Sequence, residues 1–251
     1  MTPDSTLVDQ VVASPHHDAR RNGASPDILL LHYTGMVSGE AALRRLSGVD
    51  GEVSSHYLVE EDGCVFQLVP ESRRAWHAGV SWWRGRDDVN SRSIGIEIVN
   101  PGHEHGYRAF PPAQVAAVIE LCRDCVARWS IAPQSVLAHS DVAPTRKEDP
   151  GELFPWDQLF AAGVGHWTEP ARATGGRFLA MGDSGQPVEA YQGLLAAYGY
   201  FQDITGTFDE ATRFNTFAFQ RHFRPGRVDG IADMGTITTL HRLLTSLPSI
   251  L

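Results

Sequence analysis

Residues 28–33 read ILLLHY, an unbroken aliphatic run that ends in an imidazole and is followed by TGM. A strand with one wet face alternates apolar and polar residues. A run without alternation suits a strand covered on both sides, which requires helices above and below the sheet. The segments that follow supply them. GEAALRRL has helical spacing, and SSHYLVEEDGCVFQLV reads as two strands around an EDG turn. SIGIEIV is a further strand, PPAQVAAVIELCRDCVARW a helix opened by proline, and SVLAH a last short strand. The fold class predicted is therefore α/β, a mixed central sheet flanked by helices.

The texture changes beyond residue 160. AGVGHWTEPARATGGRF has no period, as expected of a connection. PVEAYQGLLAAYGY, DEATRFNTFAFQRHF and MGTITTLHRLL then form three amphipathic stretches separated by TGTF and VDG turns, which predicts a small three-helix domain. The division expected is a larger domain over residues 1–165, a linker over 166–175 and the helical domain over 176–251.

With 251 residues, 42% of them hydrophobic, the chain can bury a sizeable core. Its formal charge of −9 removes the attraction that nucleic acid and anionic membrane surfaces exploit, so small or peptide-like partners are expected. No apolar run approaches the roughly 18 residues that span a bilayer, so no membrane insertion is expected. The opening MTPDSTLVDQ has neither a basic start nor an apolar stretch, which points to the cytoplasm. Three cysteines, an odd number, argue against a disulfide framework. CRDC has the CxxC form, but Cys122 and Cys125 fall on the apolar face of a helical pattern, where they read as small buried hydrophobes.

Chemistry concentrates at strand ends. His32 closes the first apolar run, His139 closes SVLA, and Asp149 follows in the polar loop HSDVAPTRKEDPG. Ends of this kind carry sites in α/β sheets. Two imidazoles and one carboxylate form the donor set of a catalytic zinc ion, with a fourth position left for water. Neither HExxH nor paired CxxC occurs, and a lone strand-end histidine is more often structural, so spacing alone leaves both readings open.

Five separated blocks settle on one family. LLLHYTG, SSHYLVEEDGCVFQLV, AWHAGVS, NSRSIGIEIVNPG and LAHSDVAPTRKEDPG, in that order, resemble the zinc-dependent N-acetylmuramoyl-L-alanine amidases of the type 2 family, in the branch that includes AmpD and AmiD. The resemblance covers roughly residues 8–160. It implies that His32, His139 and Asp149 are zinc ligands, that Glu97 is the general base, and that Lys147 stabilises the tetrahedral intermediate. It also implies that Tyr33, His56, Trp76, His77 and Asn90 line the substrate cleft, His77 either meeting substrate or hydrogen-bonding the metal shell. Some relatives carry a catalytic tyrosine immediately before the histidine of HY; here Ser55 stands there, which favours Glu97. Asp141, Arg146 and Glu148 read as loop structure or solvent contacts, and His16, His17, His103, His105 and His166 as surface or structural residues. Trp82 and Trp83 read as core, with a flat surface for sugar or peptide as the alternative.

VEAYQGLLAAYGY, GTFDEATRFNTFAFQ and VDGIADMGTITTL resemble the peptidoglycan-binding type 1 domain, the alternative being a helical bundle that only stabilises the enzyme or mediates a dimer. Such a unit implies a place where wall polymer is found, periplasmic rather than cytoplasmic, against the reading of the first residues. The resemblance as a whole implies hydrolysis of the amide between N-acetylmuramic acid, ordinary or 1,6-anhydro, and the L-alanine of stem peptides, with peptidoglycan or its muropeptide fragments as partner. The alternatives are a non-catalytic recognition module and a zinc peptidase acting within the stem.

Overall fold

The computed structural model describes residues 1–49, 51–173 and 175–247. In chain order its strands are β1 (Gln10–Val11), β2 (His17–Ala19), β3 (Ile28–Tyr33), β4 (Tyr57–Val59), β5 (Val65–Gln67), β6 (Arg73–Ala75), β7 (Ser93–Ile98) and β8 (Val136–Ala138). The helices are α1 (Gly39–Ser47), α2 (Val89–Arg92), α3 (Gly102–His105), α4 (Pro112–Trp129), α5 (His139–Val142), α6 (Trp156–Ala161), α7 (Gln186–Tyr198), α8 (Glu210–Phe223) and α9 (Met234–Ser246).

Six strands form one sheet in the order β1-β5-β4-β7-β3-β8, while β2 and β6 pair as a separate antiparallel ribbon. Strand β3 runs parallel to β7 and β8, and β4 parallel to β7. The β4–β5 pair is the antiparallel hairpin expected around EDG. The sheet is therefore mixed and flanked by helices, the predicted class.

Side-chain period two sorts each strand between the faces. Leu29 and Leu31 of β3, with Ile94, Ile96 and Ile98 of β7, pack in one cluster with Val115, Val118 and Leu121 of α4. The opposite positions, Ile28 and Leu30, join Leu137 in a second cluster with Val188, Tyr191 and Leu195 of α7, Phe219 and Phe223 of α8, and Leu240 and Leu243 of α9. This second finding explains why ILLL lacks alternation, since both faces of β3 are covered. The C-terminal helices supply one of the covers.

Helix α4 starts with Pro112 in its first turn, where the missing N–H costs nothing. Cys122 and Cys125 lie buried on its inner face, and burial pushes both thiols up, away from thiolate chemistry. Trp83 is fully buried beside Tyr198 and Tyr200, whereas Trp82 is half-buried and meets Phe201 edge-on.

The segment expected as a connector lies against the helical unit. Val164 and Ala171 are buried, the Ala171 N–H donates to Thr239 Oγ1 at 2.9 Å, and the His166 ring bonds to the Tyr198 hydroxyl. Thr174, in the expected linker, and positions 248–251 of the expected helical domain lie outside the described residues. Among the described residues no helix is long and apolar enough to cross a membrane.

Candidate metal centre and active-site cleft

Strands β3 and β7 pair in a register that sets His32 opposite Glu97. Both positions fall out of phase with the isoleucines and leucines that face α4, so both side chains leave the sheet on the same side, near its carboxyl edge. Strand β8, on the other flank of β3, hands directly into the one-turn helix α5, whose first residue is His139. The loop after α5 returns, the Ser140 N–H donates to the Asp149 carbonyl at 3.1 Å, and the Asp149 side chain arrives beside both rings.

Three atoms converge there. His32 Nδ1 and His139 Nδ1 are 2.9 Å apart, and Asp149 Oδ2 lies 3.1 Å from the first and 2.9 Å from the second. All three residues are buried. Donors around a tetrahedral zinc ion sit about 3.3 Å from one another when each bond is roughly 2.0–2.1 Å, so the cradle is close to that size.

Hydrogen bonds behind the rings decide which nitrogens carry protons. His139 Nε2 faces the Ala78 carbonyl at 3.1 Å, and a carbonyl only accepts, so the proton is on Nε2 and Nδ1 presents a lone pair. For His32 the chain of reasoning is longer. Ser93 Oγ donates to the Val89 carbonyl at 2.7 Å, so it accepts from His77 Nε2 at 3.2 Å. His77 Nδ1 then accepts from His32 Nε2 at 3.0 Å, and His32 Nδ1 is left unprotonated. Two imidazole lone pairs and a carboxylate oxygen thus point at one spot. That arrangement repels itself unless a cation sits among them, and its donor set is that of a metal site.

The electrostatics agree. Burial, and secondarily the neighbouring His139, lowers the His32 pKa to about 4, so the ring is neutral at pH 7 and free to ligate. Burial and His32 likewise push His77 well down. Burial would raise Asp149, but the facing His139 and His32 rings overcome it and hold the carboxyl well below its usual range. Glu97 goes the other way: burial first and the charge of Asp149 second raise its pKa well above the ordinary carboxylate value, with Lys147 opposing. Its Oε2 is buried without a hydrogen-bond partner among the described residues.

These groups open onto a cleft of about 1000 Å3. The cleft is lined by His32, His139, Asp149, Glu97 and Lys147, and by Tyr33, Trp76 and His77 among the residues expected to meet substrate. His56 and Asn90 do not line it. His56 is buried within the sheet, where its Nδ1 accepts from the Gly95 N–H at 2.9 Å. Asn90 Oδ1 accepts from the N–H groups of His77 and Ala78, fixing the turn whose Ala78 carbonyl orients His139.

Asp141, Arg146 and Glu148, read from the sequence as loop structure or solvent contacts, take structural bonds here. Asp141 is buried and accepts from the Ala138 N–H and from the Tyr200 hydroxyl, and it bonds to His222 Nδ1 at 2.7 Å. Arg146 donates to the Ala78 and Val80 carbonyls. Glu148 pairs with Arg221 at 2.7 Å and faces His103, which lines the cleft and bonds to the Tyr33 hydroxyl. Tyr200, His222 and Arg221 come from the C-terminal helical region and carried no local signal. Their partners lie 59 to 81 residues away in sequence.

The chain matches the family model described as N-acetylmuramoyl-L-alanine amidase over residues 22–152, and a peptidoglycan binding domain model over residues 184–240. It is 41% identical over 231 residues to the N-acetylmuramoyl-L-alanine amidase AmiD of Escherichia coli K12, an alignment covering 86% of this chain and 82% of that protein. It is 32% identical to the 1,6-anhydro-N-acetylmuramyl-L-alanine amidase AmpD of Enterobacter cloacae, over 62% of this chain and 90% of the relative. Among solved structures, the fold is similar to E. coli AmiD in complex with the substrate anhydro-N-acetylmuramic acid-L-Ala-D-gamma-Glu-L-Lys, with TM-score 0.74, 39% identity and 88% and 89% of the two chains covered. It is also similar to AmpDh3 of Pseudomonas aeruginosa in complex with anhydromuramic pentapeptide, with TM-score 0.73, 32% identity and 89% and 93% covered. A buried two-histidine, one-aspartate cradle at the carboxyl edge of this sheet, together with these alignments, places the chain in the N-acetylmuramoyl-L-alanine amidase family.

Proposed function

We propose that this amidase holds zinc with His32, His139 and Asp149 and hydrolyses the amide between the lactyl group of N-acetylmuramic acid and the L-alanine of a stem peptide. The observation that carries the reading is the convergence of two unprotonated Nδ1 atoms and one carboxylate oxygen beside a wide cleft. When bound, zinc would polarise the scissile carbonyl and lower the pKa of water toward about 7.

The remaining work falls to the chain's own side chains. Glu97, with an unpartnered oxygen and a raised pKa, accepts the proton of the attacking water and returns it to the departing L-alanine nitrogen. Lys147 lies two residues before Asp149 and lines the same cleft, so its ammonium is held near the oxygen where negative charge develops. His77 keeps the His32 ring in its ligating tautomer. Tyr33 and Trp76, on the cleft wall, meet the substrate. Residues 1–165 act as the catalytic unit and 176–251 as the wall-recognition unit.

The test is product analysis by mass spectrometry of zinc-loaded protein given anhydro-N-acetylmuramoyl-L-Ala-γ-D-Glu-L-Lys and, separately, purified sacculi. Free stem peptide beginning at L-alanine, lost on chelation and regained with zinc, is the expected result. Cleavage between amino acids, or turnover indifferent to chelator, would refute it. The ratio of the two substrates assigns the protein to soluble fragments or to polymer.

A further inference from the structure

We propose that helix α8 forms a wall of the catalytic cleft and binds the charged, peptide end of the substrate. The inference rests on the amidase reading above and extends it to a part of the chain that lies outside the matched amidase region.

Phe214, Phe217 and Arg221 recur at helical spacing on α8 and line the same cleft as the metal cradle. The guanidinium carbons of Arg213 and Arg221 lie 5.2 and 5.6 Å from the centre of the Phe217 ring, so this face is both aromatic and cationic. That is unusual on a chain of net charge −9. Glu148 offsets part of the positive charge, but among the described residues the Arg221 guanidinium donates only through Nη2, so Nη1 is not engaged, while Nε is buried. Donors remain for a second carboxylate.

The wall is also fixed in place. The ring of His222, one residue after Arg221, stacks on Trp156 with centroids 3.7 Å apart, and its Nδ1 bonds to Asp141. Tyr200 donates to the other oxygen of Asp141 at 2.7 Å. The ligand-bearing loop is thus held to the C-terminal helices near both of its ends, at Asp141 and at Glu148.

Substrate chemistry then sets the orientation. In a muramoyl peptide the lactyl carboxyl is consumed in the amide, which leaves the sugar uncharged. A γ-linked glutamate keeps its α-carboxylate, and the stem ends in another. All the negative charge lies on the peptide side of the scissile bond, so a cationic aromatic wall recognises the stem rather than the sugar.

Two kinetic series on zinc-loaded protein test this: one with anhydro-N-acetylmuramoyl-L-Ala-γ-D-Glu-L-Lys, the other with anhydro-N-acetylmuramoyl-L-alaninamide, which has no carboxylate. In Arg221→Gln the KM for the tripeptide substrate should rise about ten-fold more than that for the amide, with zinc content and melting temperature tracked alongside. Arg221→Lys, which keeps the charge, should recover part of the difference. Arg213→Gln, at an exposed position, should shift the ratio the same way by roughly three-fold and guards against a folding defect at Arg221. Equal losses on both substrates, or an unmoved ratio in both variants, would overturn the proposal. Should the wild type cleave neither substrate, the amidase reading fails by itself. Calorimetric binding of free L-Ala-γ-D-Glu-L-Lys to wild type and Arg221→Gln then decides the wall independently, weaker binding by the variant upholding it and equal binding refuting it.

Discussion

Glu97 carries the sharpest consequence at the scale of single residues. Its folded-state pKa lies well above the unfolded value, because burial and Asp149 disfavour the charged form. Below the unfolded pKa both states are protonated and nothing is lost. As pH rises through the interval between the two values, ionisation penalises the folded state, so the metal-free protein is least stabilised at neutral pH. Glu97→Gln should therefore raise the melting temperature of metal-free protein at pH 7 and leave it unchanged near pH 4, while zinc content is kept and kcat falls by roughly 10²–10⁴-fold. Equal turnover in the variant would remove Glu97 from the reaction. Ser93→Ala probes the relay behind His32. Without the hydroxyl that accepts from His77, zinc affinity measured by chelator competition should fall by about 10-fold or more. The grouping of His32, His139 and Asp149 was legible through the five blocks that resemble the family, since strand-end position alone left a structural reading open. Of the support around it, only His77 was anticipated, as one of two alternatives. Asn90, Ser93 and the Ala78 carbonyl act through hydrogen bonds that leave no periodic trace.

At the scale of elements, the decisive feature is what β7 omits. Gly95 sits between the isoleucines that face α4, and a Cβ built on it would come within 2.6 Å of the His77 ring. The missing side chain is the space in which His77 reaches His32. Gly95→Ala should displace His77, weaken zinc binding by about ten-fold, and leave the far-UV spectrum intact. Wild-type affinity in that variant would show that His77 is dispensable. The sheet itself was readable, since β3, β4, β5, β7 and β8 each announce themselves by apolar runs and turn chemistry. Strands β1, β2 and β6 read QV, HDA and RRA and so contain no apolar run to register.

For the whole molecule, the main finding is one continuous apolar cluster running from Leu30 and Leu137 of the sheet to Tyr191, Phe219 and Leu240 of the C-terminal helices. The amphipathic stretches predicted three helices, but an apolar stripe does not say which surface it will cover, so their docking on the sheet was not legible. Removing residues 166–251 would bare Trp83, Leu30, Leu137 and Val142 and strand the Asp141 carboxylate. The truncated protein should aggregate or melt far below the full chain in differential scanning calorimetry, with zinc affinity reduced as well. An unaltered melting point would refute this. In this protein the sheet face that carries Leu30 and Leu137 is covered by α7, α8 and α9.

The clasp on Asp141 has a consequence for the order of events during synthesis. Tyr200 and His222 leave the ribosome some sixty and eighty residues after the carboxylate they secure. Until then the carboxylate two residues after His139 lacks both of these partners, so full ordering of the cradle is expected only once helix α8 has emerged.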